Sequence, residues 1–171
     1  MTSAPRYYGK YRATVLNNTD PMLQGRIMVQ LADRYGMFPS TWALPALPFA
    51  ARGTAAMVAL PQVGSMVWVE FEAGEPDHPI WTGGFWPDEG GFPVAALAGA
   101  TPATPNIHLQ TTTGVTVTLS DLPATQVQVR TPTGASIIIG TAGVTILNGQ
   151  GASIAMVGSS VVINNGALVV N

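Results

Sequence analysis

The chain has 171 residues, of which 47% are hydrophobic and only 9% are charged, with 19 glycines and 14 prolines. Its formal charge of −2 and single lysine, Lys10, exclude the basic surface that a polyphosphate partner requires. The lack of cysteine excludes disulfides, thiolate-bound zinc and thiol nucleophiles. The sequence also shows no secretory signal peptide and no apolar stretch long enough for a membrane-spanning helix.

Charge is distributed unevenly along the chain. Of the seven basic and nine acidic residues, all but Asp121 and Arg130 lie in residues 1–89, and every aromatic residue lies at or before Phe92. This contrast predicts a domain over 1–89, a linker over 90–105 and a different structure over 106–171. Because the linker is rich in Pro, Ala and Gly and has no charge, we expect it to be extended and semi-rigid.

Short β-prone segments separated by turn residues make up the first region. Their apolar residues alternate, and no helical period appears, so five or six strands in a small closed barrel are predicted. Prolines interrupt one segment and confine it to an edge or an irregular strand. The predicted strands are 10–16, 25–31, 42–48, 56–61, 65–71 and 80–86.

The region 106–171 is a degenerate repeat of very short segments rich in Val, Ile and Thr. Gly-Ala-Ser-Ile occurs at both 134–137 and 151–154, and glycine precedes most segments. Segments this short are expected to stack as a β-helix, but one chain of them cannot enclose a core. Three chains around one axis could. The predicted strands are 107–110, 115–119, 126–130, 137–139, 144–147, 154–157, 161–163 and 168–170.

Alternation within these segments predicts which side chains face the shared axis. A shift of one residue in register would invert the face, so each assignment depends on parity. The predicted trimer core consists of Val115, Val117, Leu119, Val127, Val129, Ile137, Ile139, Val144, Ile146, Ile154, Val161, Ile163 and Leu168.

A set of short motifs in residues 24–83 follows the order found in one protein family. Gly25-Arg26 comes first, then Leu-Pro-Gln-Val-Gly at 60–64, Val-Glu-Phe at 69–71, Gly-Glu-Pro at 74–76 and Thr82-Gly83. This pattern resembles the OB-fold of contractile-tail baseplate spikes, namely phage baseplate assembly protein V and VgrG proteins. The resemblance implies an all-β homotrimer, with an N-terminal OB-fold barrel followed by an intertwined triple-stranded β-helix.

The resemblance also implies a function and partners. The OB domain would dock on a baseplate hub protein, and the needle would pierce the target membrane as the central spike of a contractile injection system. A PAAR-type tip protein would cover the C-terminal end at Leu168, Val169, Val170 and Asn171. Because the chain shows no hub-like domain before the OB region, a phage or phage-like particle is expected, assembled from protein made in the bacterial cytoplasm.

Candidate chemistry is sparse. Glu70, Glu72, Glu75, Asp77 and His78 form the densest ionisable cluster, but their position on one strand face and in a loop favours a solvated surface over a metal or catalytic site. No enzyme is expected, since the lysozyme domain that some spikes insert after the barrel is missing and Asp121 is the only acid after residue 89.

The two histidines of the chain are also candidate metal ligands. Neither His78 nor His108 belongs to the His-x-His pattern that holds iron at the apex of some spikes. His108 could form a three-histidine ring near the axis, although a surface position is favoured. We therefore predict no metal and no cofactor.

The competing interpretation is an OB-fold module that binds oligonucleotide or glycan and carries a disordered Thr-rich tail. OB-folds bind single strands through aromatic residues and a basic groove. The aromatic residues are present but the basic groove is not, so no nucleic-acid partner is predicted. The aromatic candidates are Tyr7, Tyr8, Tyr11, Trp42, Trp68, Trp81 and Trp86.

Overall fold

The computed structural model describes residues 5–51, 53, 55–89 and 91–170, and it divides the chain into two compact units, Met1–Gly91 and Phe92–Asn171. The predicted all-β class is confirmed. Within the described residues, the helical structure is limited to α1 (Ala32–Tyr35) and three short 3₁₀ turns. None of the described helices is long and apolar enough to cross a membrane.

The first unit is a curled sheet whose two ends meet. Its strands are β1 (Tyr11–Asn17), β2 (Met28–Gln30), β3 (Leu44–Pro45), β6 (Met66–Phe71) and β7 (Pro79–Phe85), and β4 (Ala50–Ala51) pairs with β5 (Ala55–Ala56) as a separate hairpin. The five strands of the sheet pair in the order β2-β1-β6-β7-β3, and all neighbours are antiparallel except β3 and β7. Backbone hydrogen bonds of 2.8 and 3.1 Å between Ile27 and Ala43 join the two edges, which closes the barrel as predicted.

The barrel interior is filled by alternate residues of its strands. In β6, Val67, Val69 and Phe71 are buried while the residues between them are partly exposed. This period of two is the pattern of a strand with one face on a core. The buried hydrophobic residues are Ala13, Val15, Ile27, Val29, Leu31, Ala43, Val67, Val69, Phe71 and Trp81.

The segment expected to be an extended linker is instead a series of tight turns. Val94–Leu97 forms a 3₁₀ helix, and the amides of Ala96, Ala98 and Ala100 bond to carbonyls three residues earlier. The Asn106 side-chain amide donates to the carbonyl oxygens of Ala96 and Ala98 at 3.1 and 2.9 Å. The extended conformation was the wrong expectation because small side chains let the backbone close on itself.

The second unit is an eight-stranded antiparallel meander, in which each strand pairs with its neighbours in sequence. All eight predicted segments are strands. At Gly143 the backbone has φ +136°, and a Cβ there would overlap the carbonyl oxygen of Met156, so this turn requires glycine. The strands are β8 (Ile107–Gln110), β9 (Thr116–Leu119), β10 (Val127–Arg130), β11 (Ala135–Gly140), β12 (Gly143–Asn148), β13 (Ser153–Val157), β14 (Ser160–Ile163) and β15 (Leu168–Val170).

Candidate trimer interface and neighbouring sites

Two columns of apolar residues run along one face of the meander. Residues directly opposite each other in antiparallel strands point to the same face, so the strand register identifies each column. The first column contains Ile107, Leu119, Val127, Ile139, Val144, Met156 and Val161. The second contains Leu109, Val117, Val129, Ile137, Ile146, Ile154, Ile163 and Leu168. We call these fifteen residues the apolar face.

A single protomer leaves the apolar face open to solvent. Ile107, Leu109 and Leu168 are 65%, 57% and 54% exposed. Within the described part of the second unit, only Ser136 is buried, and its register places it on the opposite face. Because a contiguous exposed apolar surface of this kind marks an association site, the meander needs other chains to cover it.

The strand register shows which of the predicted core residues share one face of the meander. All of them except Val115 lie on the apolar face, and Val115 lies just before β9 with the same parity as Val117. The Val115 amide donates to Thr111 Oγ1 at 3.0 Å. Sequence reasoning missed Ile107, Leu109 and Met156, although extending the same alternation into the first strand and one step along β13 would have found them.

His108 lies on the face opposite the apolar columns. Its Nδ1 is 2.8 Å from Thr118 Oγ1, and its Nε2 is 3.2 Å from Gln110 Oε1. Since His108 alternates with Ile107 and Leu109, a three-histidine ring on the axis and an apolar axis exclude each other. The ring considered from sequence is therefore incompatible with this register.

Two members of the acidic cluster of the first unit form surface ion pairs. Glu70 pairs with Lys10, whose ammonium also lies 3.2 Å from Thr82 Oγ1, and Glu75 pairs with Arg6. Among the described residues, no three His, Asp or Glu side chains are grouped to hold a metal ion. These pairs tie the start of the chain to the β6–β7 hairpin.

A buried ion pair, which sequence reasoning missed, organises the loop between β1 and β2. Arg26 Nη2 donates to Asp20 Oδ1 at 2.6 Å, and the amides of Met22 and Gln24 donate to the same carboxylate at 2.9 and 2.8 Å. The hydrogen bond from Arg26, aided by these amides, holds the pKa of Asp20 well below its usual range despite burial. The hydrogen bond to Asp20 also raises the pKa of Arg26. The Arg26 guanidinium lies over the Trp42 ring.

Most aromatic candidates of the first unit pack against other parts of the barrel. Tyr7 and Tyr11 contact the Phe71 ring at centroid distances of 5.2 and 5.6 Å. Trp81 is buried and donates through Nε1 to the Gly25 carbonyl at 3.1 Å. Trp68 lies against Phe85, with Arg12 over both rings. Tyr8 and Trp86 are exposed.

The last strand, β15, ends the meander and pairs with β14. Leu168, which was predicted to contact a tip protein, is 54% exposed. Asn171 lies outside the described residues, as do the side chains of Val169 and Val170.

Comparison with known families agrees with both units. Residues 11–86 match the type VI secretion system/phage-baseplate injector OB domain. Residues 106–169 match the phage baseplate V C-terminal trimerisation domain. No curated protein matches the chain.

Together these domains define a structural component of an injector baseplate that assembles as a homotrimer. Each unit matches one domain of phage-baseplate injector proteins, so the predicted resemblance to a baseplate spike protein is confirmed. The competing interpretation of a disordered tail is wrong, because residues 107–170 carry eight paired strands.

Proposed function

We propose that this protein is the central spike of a contractile injection system, with the OB domain docked on a hub protein and the second unit acting as a needle that pierces the target envelope. The apolar face carries the proposal. Three such faces turned towards one axis would remove their β-branched and aliphatic side chains from water. The match of residues 106–169 to a trimerisation domain supports an assembly of three chains.

The strand arrangement suits a part that must resist compression. Strands stacked at about 4.8 Å along the needle join one another through backbone hydrogen bonds at every step. Each interior strand of the meander is paired on both edges. A thrust along the axis would therefore be transmitted through continuous strand pairing and a dry core, with no enzymatic step.

Hub docking is proposed for the first unit because its loops present large apolar side chains. Leu23 and Met37 are 92% and 88% exposed, and Phe38 is 76% exposed. Side chains of this size on loops are common at protein contacts. In the second unit, the open edge of β15 and exposed Leu168 are the proposed seat of a PAAR-type tip protein.

Two measurements test the spike assignment. Mass photometry of the purified chain should give three times the chain mass of 17.8 kDa, and a monomer at micromolar concentration would contradict it. Antibody labelling of a C-terminal tag on intact particles should place the tag at the distal centre of the tail baseplate. Label on the sheath or capsid, with none at the baseplate centre, would reject the proposed location.

A further inference from the structure

The apolar face does not by itself fix how three chains align along an axis. All fifteen of its residues are Ile, Leu, Val or Met, and none is a polar residue that could mark one register, as a buried Asn does in coiled coils. The repeated Gly-Ala-Ser-Ile places Ile137 and Ile154 in the same column, two strands apart. A chain displaced by one hairpin would still set aliphatic side chains against aliphatic side chains, so the core specifies the register weakly.

The segment that leads into the meander is not part of this repeat. Residues 92–105, which we call the collar, lie between the two ranges that match known domains and contain no Asp, Glu, Lys, Arg or His. The collar runs directly into β8, the edge strand of the meander. It is therefore a distinct element at one end of a repetitive structure, which is what a register marker requires.

Each protomer holds its collar in a fixed place on the second unit. The Asn106 side chain bonds to two collar carbonyls, and Gly99 lies directly against Leu122 in the loop between β9 and β10. A Cβ on Gly99, which has φ +70°, would lie 2.0 Å from Leu122 Cδ1, so only glycine allows this approach. The position of the collar relative to the first strands of the meander is thus set within one chain.

The collar surface is apolar and continues the apolar face beyond the edge of the sheet. Phe92, Val94 and Leu97 are exposed, and Phe92, Leu97 and Pro105 help to line a pocket of about 380 Å³. The next part of the chain is Ile107, which begins the first apolar column and is its most exposed member. Because β8 is an edge strand, no further strand of the described meander covers this end.

We propose that the collar packs against the collar of a second copy of this chain, and that this contact fixes the register of the trimer. The inference rests on the proposed function, since it takes three apolar faces to be turned towards one axis. The lack of charge suits a contact between identical surfaces, because charged residues are depleted at interface cores. A chain displaced by one hairpin would carry its collar about 10 Å away from its neighbours and lose the contact.

Ile137 and Ile154 provide a direct reading of the register. In an aligned trimer each position meets its own copies, whereas displacement by one hairpin sets position 137 against position 154. The two strands are about 10 Å apart in height, and a disulfide requires Cβ atoms within about 4.5 Å. Because the chain has no cysteine, Ile137→Cys and Ile154→Cys chains, one with a size tag, can be coexpressed and oxidised.

With an unaltered collar, oxidation should link only chains of the same kind. Leu97→Asp in both chains would bring three carboxylates into the collar contact, and the mixed disulfide between positions 137 and 154 should appear. Links between like chains should fall about threefold, as the aligned register and the two displaced ones become comparably populated. Gly99→Ala, which moves the collar off Leu122, should have the same effect.

Two further variants complete the experiment. Ala103→Asp, at an exposed collar position outside the pocket, is the matched control and should behave like the unaltered collar. Leu97→Ala is a milder change that leaves a trimer to be scored if Leu97→Asp does not assemble. Mass photometry under reducing conditions identifies the trimers before oxidation.

Trimeric Leu97 and Gly99 variants that give only links between like chains would overturn the register role of the collar while leaving the spike assignment in place. Mixed links with an unaltered collar would also overturn it, because the register would then not be fixed. Mixed links in Ala103→Asp would remove the assignment to the pocket. A monomer in mass photometry of the parent chain would instead reject the proposed function itself.

Discussion

The two units bury their apolar residues in opposite ways. The OB unit encloses ten hydrophobic residues within one protomer, whereas in the described part of the second unit the apolar face stays open. Burial of apolar surface is the main driving force of folding. The barrel can therefore hold its structure within one chain, while the needle obtains its core only from three.

This difference can be followed by spectroscopy. All four tryptophans lie between residues 42 and 86, so tryptophan emission reports the barrel and not the needle. Oligomeric state reports the needle. A substitution that acts on one unit should move one signal and leave the other unchanged.

The largest effect is expected from Val117→Asp. Three carboxylates would be forced together in a dry core, and the cost of desolvating them should abolish the trimer. Mass photometry should show only monomer, while tryptophan emission stays that of the parent. Thr118→Asp, on the opposite face, is the control and should remain trimeric. A heat-resistant Val117→Asp trimer would show that Val117 does not face the axis.

Ile27→Ala should produce the reverse pattern. Ile27 is fully buried at the point where the barrel closes. Truncating it should destabilise the barrel by about 2–5 kcal/mol through lost burial and the cavity left behind. Denaturant unfolding followed by tryptophan emission measures this, and mass photometry should still give a trimer. Loss of the trimer together with the barrel would mean that the units do not fold separately.

Asp20→Asn should make barrel stability less dependent on pH. The pKa of Asp20 is lowered in the folded chain, so its contribution is present above the unfolded value of about 3.9 and is lost as pH falls below it. The variant should be less stable than the parent at pH 7, and the difference should shrink below pH 4. Asp33→Asn, at an exposed site in α1, is the control for the tryptophan-monitored unfolding curves. Equal stabilities of Asp20→Asn and the parent at every pH would show that the pair does not stabilise the barrel, and a difference that stayed constant down to pH 2 would contradict its pH dependence.

The smallest effect is expected from Asn148→Ala. This change removes the acceptor for two turn amides and should cost about 1 kcal/mol per protomer. Circular dichroism at fixed protein concentration should show a lower unfolding midpoint for the needle and an unchanged tryptophan transition. Gln150→Ala, an exposed change in the same turn, should leave both midpoints in place. Equal midpoints for the two variants would contradict a capping role for Asn148.

Local pattern was enough to predict most of the fold. Alternation in segments such as 115–119 defines a face, and glycines at the turns set the strand lengths. The ion pair between Asp20 and Arg26 was not predicted. An Asp among the turn residues of Asn17–Pro21 is common in any turn, so the sequence there gives no sign of a charged partner. The turns over Val94–Leu97 were missed for a related reason, since proline spacing suggests extension and small residues permit the opposite.

Alternation predicted the parity of the shared face, but the continuity of that face across the strands lies beyond the sequence. The alternation of Ile137 and Ile139 with Ile138 places apolar residues on both faces of β11. Only the paired register shows that Ile137 and Ile139 continue columns that run through seven or more strands, whereas Ile138 joins a mixed face. The exposed loop residues Leu23 and Phe38 likewise carry no pattern that distinguishes them from core residues.

Every ladder of the needle joins strands that are adjacent in sequence. The loops to be closed are short, and contacts of low sequence separation form quickly. Hairpin formation is then fast and independent of concentration, whereas the encounter of three chains is not. The rate at which finished needles accumulate should therefore depend on how much of the chain is present, and synthesis level becomes a control point for assembly.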